Sequence, residues 1–330
     1  MAVEFGLLLP HFGLLAKRER VIDQAPQLEE WGFDAVFVRD HLTFQPHAFE
    51  GKSTTFYEPF TTLTAVAALT RRLKVGTATV IPFRHALVTS QLFGGVSMVA
   101  GPGRLIVGVG AGTPQKPFDA TGFPFEKRFQ AVREMVDIFR LTWSQEHVSY
   151  QGEVYRFEDV TIDPHPPADT PIWYGGASSL AIQRALEYAD GWFPGRLPFT
   201  AFERMSKRFR RGAEGIGRPM RLGIIPNFSI DVNRQTALQK VEASLPGMFE
   251  EARRKNWKGL SFETVDDIEG MIIYGSPADC VRGVQRLIDL GADHVVFDLR
   301  LRPEEYDEQL KLVATEVLPA LRERNAAVAS

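Results

Sequence analysis

The chain has one cysteine in 330 residues, Cys280, which excludes an internal disulfide and a cysteine-based zinc cluster. It lies beside Val281 and Val284 on the apolar side of a helical pattern, which predicts an inert core thiol. The histidines show neither His-x-x-x-His nor His-Glu-x-x-His spacing, so no metal site is expected. No Gly-x-Ser-x-Gly elbow occurs, which argues against a hydrolase. No full Gly-x-x-x-x-Gly-Lys-Ser/Thr phosphate loop occurs either. Charge of one sign is also lacking. The net value of −3 gives no general pull toward nucleic acid or an anionic membrane. No apolar run approaches membrane-spanning length, and the segment from Met1 to Gly6 has no basic region followed by an apolar stretch. A soluble, cytoplasmic protein is the expectation.

What is present is 44% hydrophobic residues, enough for a large core. Strand-like and helical runs alternate almost end to end. Strands are expected at 3–9, 32–38, 73–81, 104–109, 171–174, 188–193, 222–230 and 294–299. Helices are expected at 18–31, 60–69, 85–100, 126–143, 202–213 and 278–290, with a closing helix through Leu310, Val313, Val317 and Leu321. Eight strands in this rhythm predict a single (β/α)8 barrel, with a doubly wound open sheet as the alternative. No tract rich in proline, glycine and serine divides the middle, so residues 1–330 are read as one domain. Three places break the rhythm: 43–58, a hairpin at 148–155, and an insertion at about 235–274. In barrels, insertions at the C-terminal strand ends build the active site.

The most informative segment is Thr170-Pro-Ile-Trp-Tyr-Gly-Gly-Ala-Ser-Ser-Leu180. It reads as a short buried strand that stops at Gly175 and Gly176 and runs into a helix. Ser178 or Ser179 is placed to cap that helix. Free N–H groups there, with the positive end of the helix dipole behind them, suit a phosphate or carboxylate. The bland alternative is a compact strand-to-helix connection. Gly108-Val-Gly-Ala-Gly112 ends the fourth strand. It fails as a dinucleotide fingerprint, because position 113 is threonine and no helix is expected before about 126. Its glycines would instead leave room for a flat ring against the backbone, or serve barrel packing alone. Arg39-Asp-His-Leu42 closes the second strand and puts His41 at the barrel mouth, where an imidazole can act as acid or base. A structural hydrogen bond is the competing role for it. Strict alternation turns Asp40 to the other face.

Together these segments resemble the luciferase-like monooxygenase superfamily, in particular its branch that uses the deazaflavin coenzyme F420. The resemblance runs through Asp40-His41-Leu42, Val75-Gly-Thr-Ala-Thr79, Arg104 to Gly112, Pro171 to Gly176 with Arg184-Ala185, Ala189-Asp-Gly-Trp192 and Gly275-Ser-Pro277. It implies a barrel, usually dimeric, with the ring across the C-terminal mouth. It implies a bulge at Ala78-Thr79, often with a non-proline cis peptide, that backs the ring. Gly110, Ala111 and Gly112 would line the ring's edge. Gly175, Gly176, Ala177 and Ser178 would hold the coenzyme phosphate. Asp40 would belong to the coenzyme site, and His41 matches the family's acid/base histidine.

The chain departs from the family's sugar-phosphate dehydrogenases. Thr113 stands where they carry glutamate, and Gln45 where they carry tryptophan. A different small organic substrate is implied, shaped by Phe12, Phe44, Tyr57 and the 235–274 insertion. The leading expectation is an F420-dependent oxidoreductase that moves a hydride. The alternatives are an FMN-dependent monooxygenase of the same fold and a non-catalytic ligand-binding barrel. A homodimer with no metal is expected.

Overall fold

A computed structural model describes residues 2–43, 52–255, 257 and 259–329. Twelve strands follow in chain order: β1 (Glu4–Leu8), β2 (Ala35–Val38), β3 (Lys74–Thr77), β4 (Leu105–Val109), β5 (Val148–Gln151), β6 (Arg156–Val160), β7 (Ile172–Gly175), β8 (Gly191–Phe193), β9 (Arg221–Ile224), β10 (Asn227–Ile230), β11 (Ile272–Gly275) and β12 (His294–Phe297). Eight of them close a parallel barrel in the order β1-β12-β9-β8-β7-β4-β3-β2. The open-sheet alternative is thereby overturned. Helices on the outside, such as Pro59–Leu69 and Ala86–Ala100, separate successive barrel strands.

The strands are short and nearly continuous in apolar residues because both of their faces are buried. One face points outward to the helices. The other fills the barrel with Leu8, Ala35, Phe37, Ile106, Trp173, Phe193, Ile225 and Val296. His294 is fully buried among them, 5.2 Å from the Phe37 ring and 5.3 Å from Trp173. The interior is a packed plug, and ligand space is left only at its ends.

Four expectations need correction. The seventh barrel strand stops at Ile224, because Pro226 cannot donate to a ladder. The rest of the predicted 222–230 run becomes β10, which pairs with β11 in a separate two-stranded parallel sheet. The insertion between them carries the helices Arg234–Gln239 and Leu245–Arg254 over its own apolar cluster, including Val241, Met248 and Ile268. The predicted helix at 18–31 breaks into a π-helical turn, Glu19–Asp23, and a short helix, Ala25–Glu30, with Pro26 in its first turn. A helix at Lys116–Thr121 follows the glycine run where the sequence suggested loop. The hairpin forms, as β5 and β6, but extends to Val160.

Candidate active site

The C-terminal ends of the barrel strands open into a cavity of about 910 Å³. That is within the usual size for a cofactor pocket. Its floor includes Phe193 and Ile225 from the barrel plug. One wall is the end of β3. Val75 pairs with Leu105 and Val80 with Val109, so β3 carries one more residue than β4 over this span, a bulge. The bulge contains a cis peptide between Ala78 and Thr79.

The bulge explains the glycines opposite it. A Cβ on Gly108 would collide with the Thr77 carbonyl oxygen. A Cβ on Gly110 would lie 2.5 Å from Thr79 Oγ1, and one on Gly175 would lie 2.7 Å from Thr79 Cγ2. The space that these glycines leave is filled by the protein itself, so the packing explanation holds for them. Gly112 and Gly176 differ. Their φ angles of +74° and +128° need glycine for the turn.

Asp40 and His41 leave β2 in different environments. Asp40 is buried, and its carboxylate accepts from Arg84 Nη1 at 2.7 Å, Arg84 Nη2 at 2.9 Å and the Ile81 N–H at 3.2 Å. Both of its oxygens therefore serve to tie β2 to the bulge. His41 is half-buried on the cavity wall, with its ring edge-on to Phe56 at 5.4 Å. Beyond it lies a buried ion-pair group. Asp298 accepts from Arg300 Nε at 2.8 Å and stands 3.6 Å from Arg39. Burial alone would raise the Asp298 carboxyl. Arg300 and then Arg39 outweigh it and hold the group below the ordinary value.

The turn after β7 forms with Ser178, one of the two expected serines, as the helix cap. The helix Ser179–Tyr188 begins directly after β7, and the Ser178 hydroxyl oxygen accepts from the Ala181 N–H at 3.1 Å. This leaves the hydroxyl proton to donate into the cavity. Ser178, Ala181 and Arg184 line the cavity from one helix face. Arg128 and Arg184 both lie over the Phe129 ring, at 4.5 Å and 4.2 Å from its centroid. Arg128 Nε is buried without a hydrogen-bond partner. A donor held in that state beside a helix N-terminus fits an anionic group in the cavity.

Asp40, His41, Ala78, Thr79, Gly110, Ala111, Gly112, Gly175, Gly176 and Ser178 thus all line one cavity. Ala177 does not. It is buried behind the turn, in the core cluster. Phe12 lines the cavity and Tyr57 does not. Phe44 and Gln45 lie outside the described residues. The insertion contributes Glu251, Arg254 and Lys255 to the rim. Sequence reasoning missed Arg39, Lys116, Arg128, Arg184 and Arg196 as lining residues. Among the described residues no cluster of three or more histidine, cysteine or carboxylate side chains could hold a metal ion. No helix among them is long and apolar enough to cross a membrane.

A closed parallel barrel with a cavity at the C-terminal ends of its strands defines the class: a (β/α)8 protein. The luciferase-like monooxygenase family matches residues 3–294, and the chain belongs to that family. A relative from Nakamurella multipartita, an F420-dependent glucose-6-phosphate dehydrogenase, is 29% identical over 94% of this chain and 96% of its own. Solved structures share the fold. The coenzyme F420-dependent tetrahydromethanopterin reductase of Methanopyrus kandleri superposes with a TM-score of 0.77 at 21% identity, covering 97% of this chain and all of that one. An F420-dependent secondary alcohol dehydrogenase, solved with an F420–acetone adduct, gives 0.80 at 19% identity, covering 97% and 99%.

Proposed function

We propose that the protein is an F420-dependent oxidoreductase that moves a hydride between the coenzyme and a small organic substrate. The observation that carries this reading is the continuous wall from the Ala78–Thr79 bulge, past Gly110–Gly112, to the Ser178 turn, with Arg128 and Arg184 at its far end. The relatives named for F420 support the choice of coenzyme. When bound, the deazaflavin supplies the hydride donor or acceptor. The chain's own part is placement and protonation. The Gly175–Ser178 backbone, the Ser178 hydroxyl and the two arginines would grip the phosphate. The bulge would back the ring, and Asp40 would keep the bulge in register through Arg84. His41 would give or take the proton on the substrate oxygen or nitrogen as the hydride moves.

The substrate stays general. Thr113 stands on the cavity wall, where sugar-phosphate dehydrogenases of the family carry glutamate, so we do not assign glucose 6-phosphate. A homodimer is part of the proposal and rests on the resemblance to the family. Titration of the pure protein with oxidised F420 and with FMN tests the coenzyme. Tighter binding of F420 is expected. Micromolar FMN binding with no measurable F420 binding would favour the monooxygenase alternative.

A further inference from the structure

His11 is fully buried at the end of β1, and the proposed proton transfer makes no use of it. Its ring nevertheless reaches the chain that bears His41. Nε2 lies 3.1 Å from both the backbone nitrogen and the carbonyl oxygen of Arg39, and Nδ1 lies 2.9 Å from the carbonyl oxygen of Leu9. Backbone N–H groups only donate and carbonyl oxygens only accept. Nδ1 therefore carries a proton and donates it to Leu9. Burial and the nearby Arg300 and Arg39 charges hold the ring neutral, so Nε2 is bare and accepts from the Arg39 N–H.

The same ring holds the aromatic wall beside His41. His11 meets Phe12 and Phe56 edge-on, each at 4.9 Å, and Phe56 in turn meets His41 at 5.4 Å. The backbone locks this group across the mouth. The Tyr57 N–H donates to the His11 carbonyl oxygen at 2.8 Å, and the Gly13 N–H to the Thr55 carbonyl oxygen at 2.9 Å. His11 thus anchors both the strand end two residues before His41 and the ring against which His41 rests.

We propose that His11 is a positioning residue for His41, acting as a fixed Nδ1–H tautomer that holds the Arg39 backbone and the Phe56 ring. Its consequence for turnover rests on the assigned role of His41. The contact itself does not, and can be tested without a substrate. The other charged groups facing His11 are Arg300 and Arg39.

The test follows the ring nitrogens of His41 by 15N NMR across pH, in full-length protein with and without oxidised F420. The His41 signals are assigned by their loss in His41→Asn. His11→Gln carries a carbonyl oxygen out to the Nε2 position and keeps an acceptor for the Arg39 N–H. His11→Asn retains a donor near Nδ1 but falls short of Arg39. His11→Phe keeps the ring and removes both bonds. In His11→Asn and His11→Phe the His41 midpoint should move by about half a pH unit or more, since its solvation and neighbours change. In His11→Gln it should return toward the parent value. F420 affinity should stay within about twofold throughout, because the phosphate turn is remote from His11. A His41 midpoint in folded His11→Asn equal to the parent's would overturn the proposal. If His11→Phe fails to fold, the Asn and Gln variants decide, and identical His41 titrations in those two also overturn it. Unchanged turnover in His41→Ala would remove the catalytic reading while leaving this result to stand or fall alone.

Discussion

Thr79 Oγ1 occupies the position that a side chain on Gly110 would need, with only 2.5 Å to spare for a Cβ. The β3 bulge and the β4 glycine run are therefore one device, and neither can change alone. Gly110→Ala should displace the bulge, weaken F420 binding on the order of tenfold and destabilise the fold by about 1–3 kcal/mol. Thr79→Ala removes the clashing oxygen and leaves Thr79 Cβ 3.4 Å away, an ordinary contact. The double variant should regain stability, with a coupling energy of about 0.5–3 kcal/mol in denaturant melts. Strict additivity of the two changes would separate the bulge from the glycines.

His41→Ala should lower turnover by about 10²–10⁴-fold, the usual contribution of a positioned acid or base. Coenzyme affinity should remain nearly intact, because His41 follows β2 and the proposed phosphate turn follows β7, three strands away round the barrel. Steady-state kinetics on a substrate found by screening alcohols, aldehydes and imines would read this. Unchanged turnover would return His41 to a structural role.

The phosphate turn yields a graded series. Ser178→Ala removes both a helix cap and a donor, so melting temperature and F420 affinity should fall together. The cap is worth about 0.5–2 kcal/mol and the charged hydrogen bond about 1.5–3 kcal/mol. Arg184→Ala should weaken F420 tenfold or so with little loss of stability, since a hydrogen bond to a charged group carries about that much. Gly176→Val should be the most damaging, because φ is +128° and the Ala181 Cβ already lies 3.1 Å from a side chain there. Parental F420 affinity in all three, with the proteins folded, would move the phosphate elsewhere. Asn227 and Arg300 at the other strand ends would be a poor second choice, since Arg196 and Asp298 already engage them.

How much of this was legible beforehand depended on whether the signal was local. The strands of the barrel were readable because each is a short apolar run between polar helices. The Ser178 cap was readable because strand, Gly-Gly and Ser follow one another directly. Arg184 could have been found, since 178, 181 and 184 fall on one helical face. Arg128 could not, because it starts a helix, Arg128–Thr142, some fifty residues away in sequence. The role of Gly108 and Gly110 needed the fold, because the atoms that exclude a side chain belong to Thr77 and Thr79 on another strand. The pairing of Asp40 with Arg84 and the bond from His11 to Arg39 are likewise contacts between separate segments, with no trace in either segment alone.

Stability should depend on pH through the buried histidines. Burial, reinforced by Arg300 and Arg39, lowers the His11 pKa from 6.5 to about 3 against the opposing pull of its Leu9 and Arg39 backbone bonds. Burial also lowers the pKa of His294, although Glu4 works to raise it. Between pH 6.5 and about 3 the unfolded chain holds a proton on His11 that the folded chain does not. Protonation therefore favours unfolding, so this contribution is complete above pH 6.5 and is lost as pH falls. Glu4 acts in the same sense at lower pH. Burial alone would raise its carboxyl, but His294 and Lys74 bring it from 4.5 to about 2, so its contribution is present above pH 4.5 and fades toward pH 2. Each extra proton taken up on unfolding tilts stability by about 1.4 kcal/mol per pH unit. Denaturant melts at about pH 7, 6 and 5 should show falling stability, steepest below pH 6, where unfolded histidines are mostly charged. His11→Gln cannot take up that proton, so its curve should be shallower by about one proton's slope. A parent whose stability is flat from pH 7 to 5, or a His11→Gln variant with the parent's slope, would mean that His11 is not held neutral in the fold.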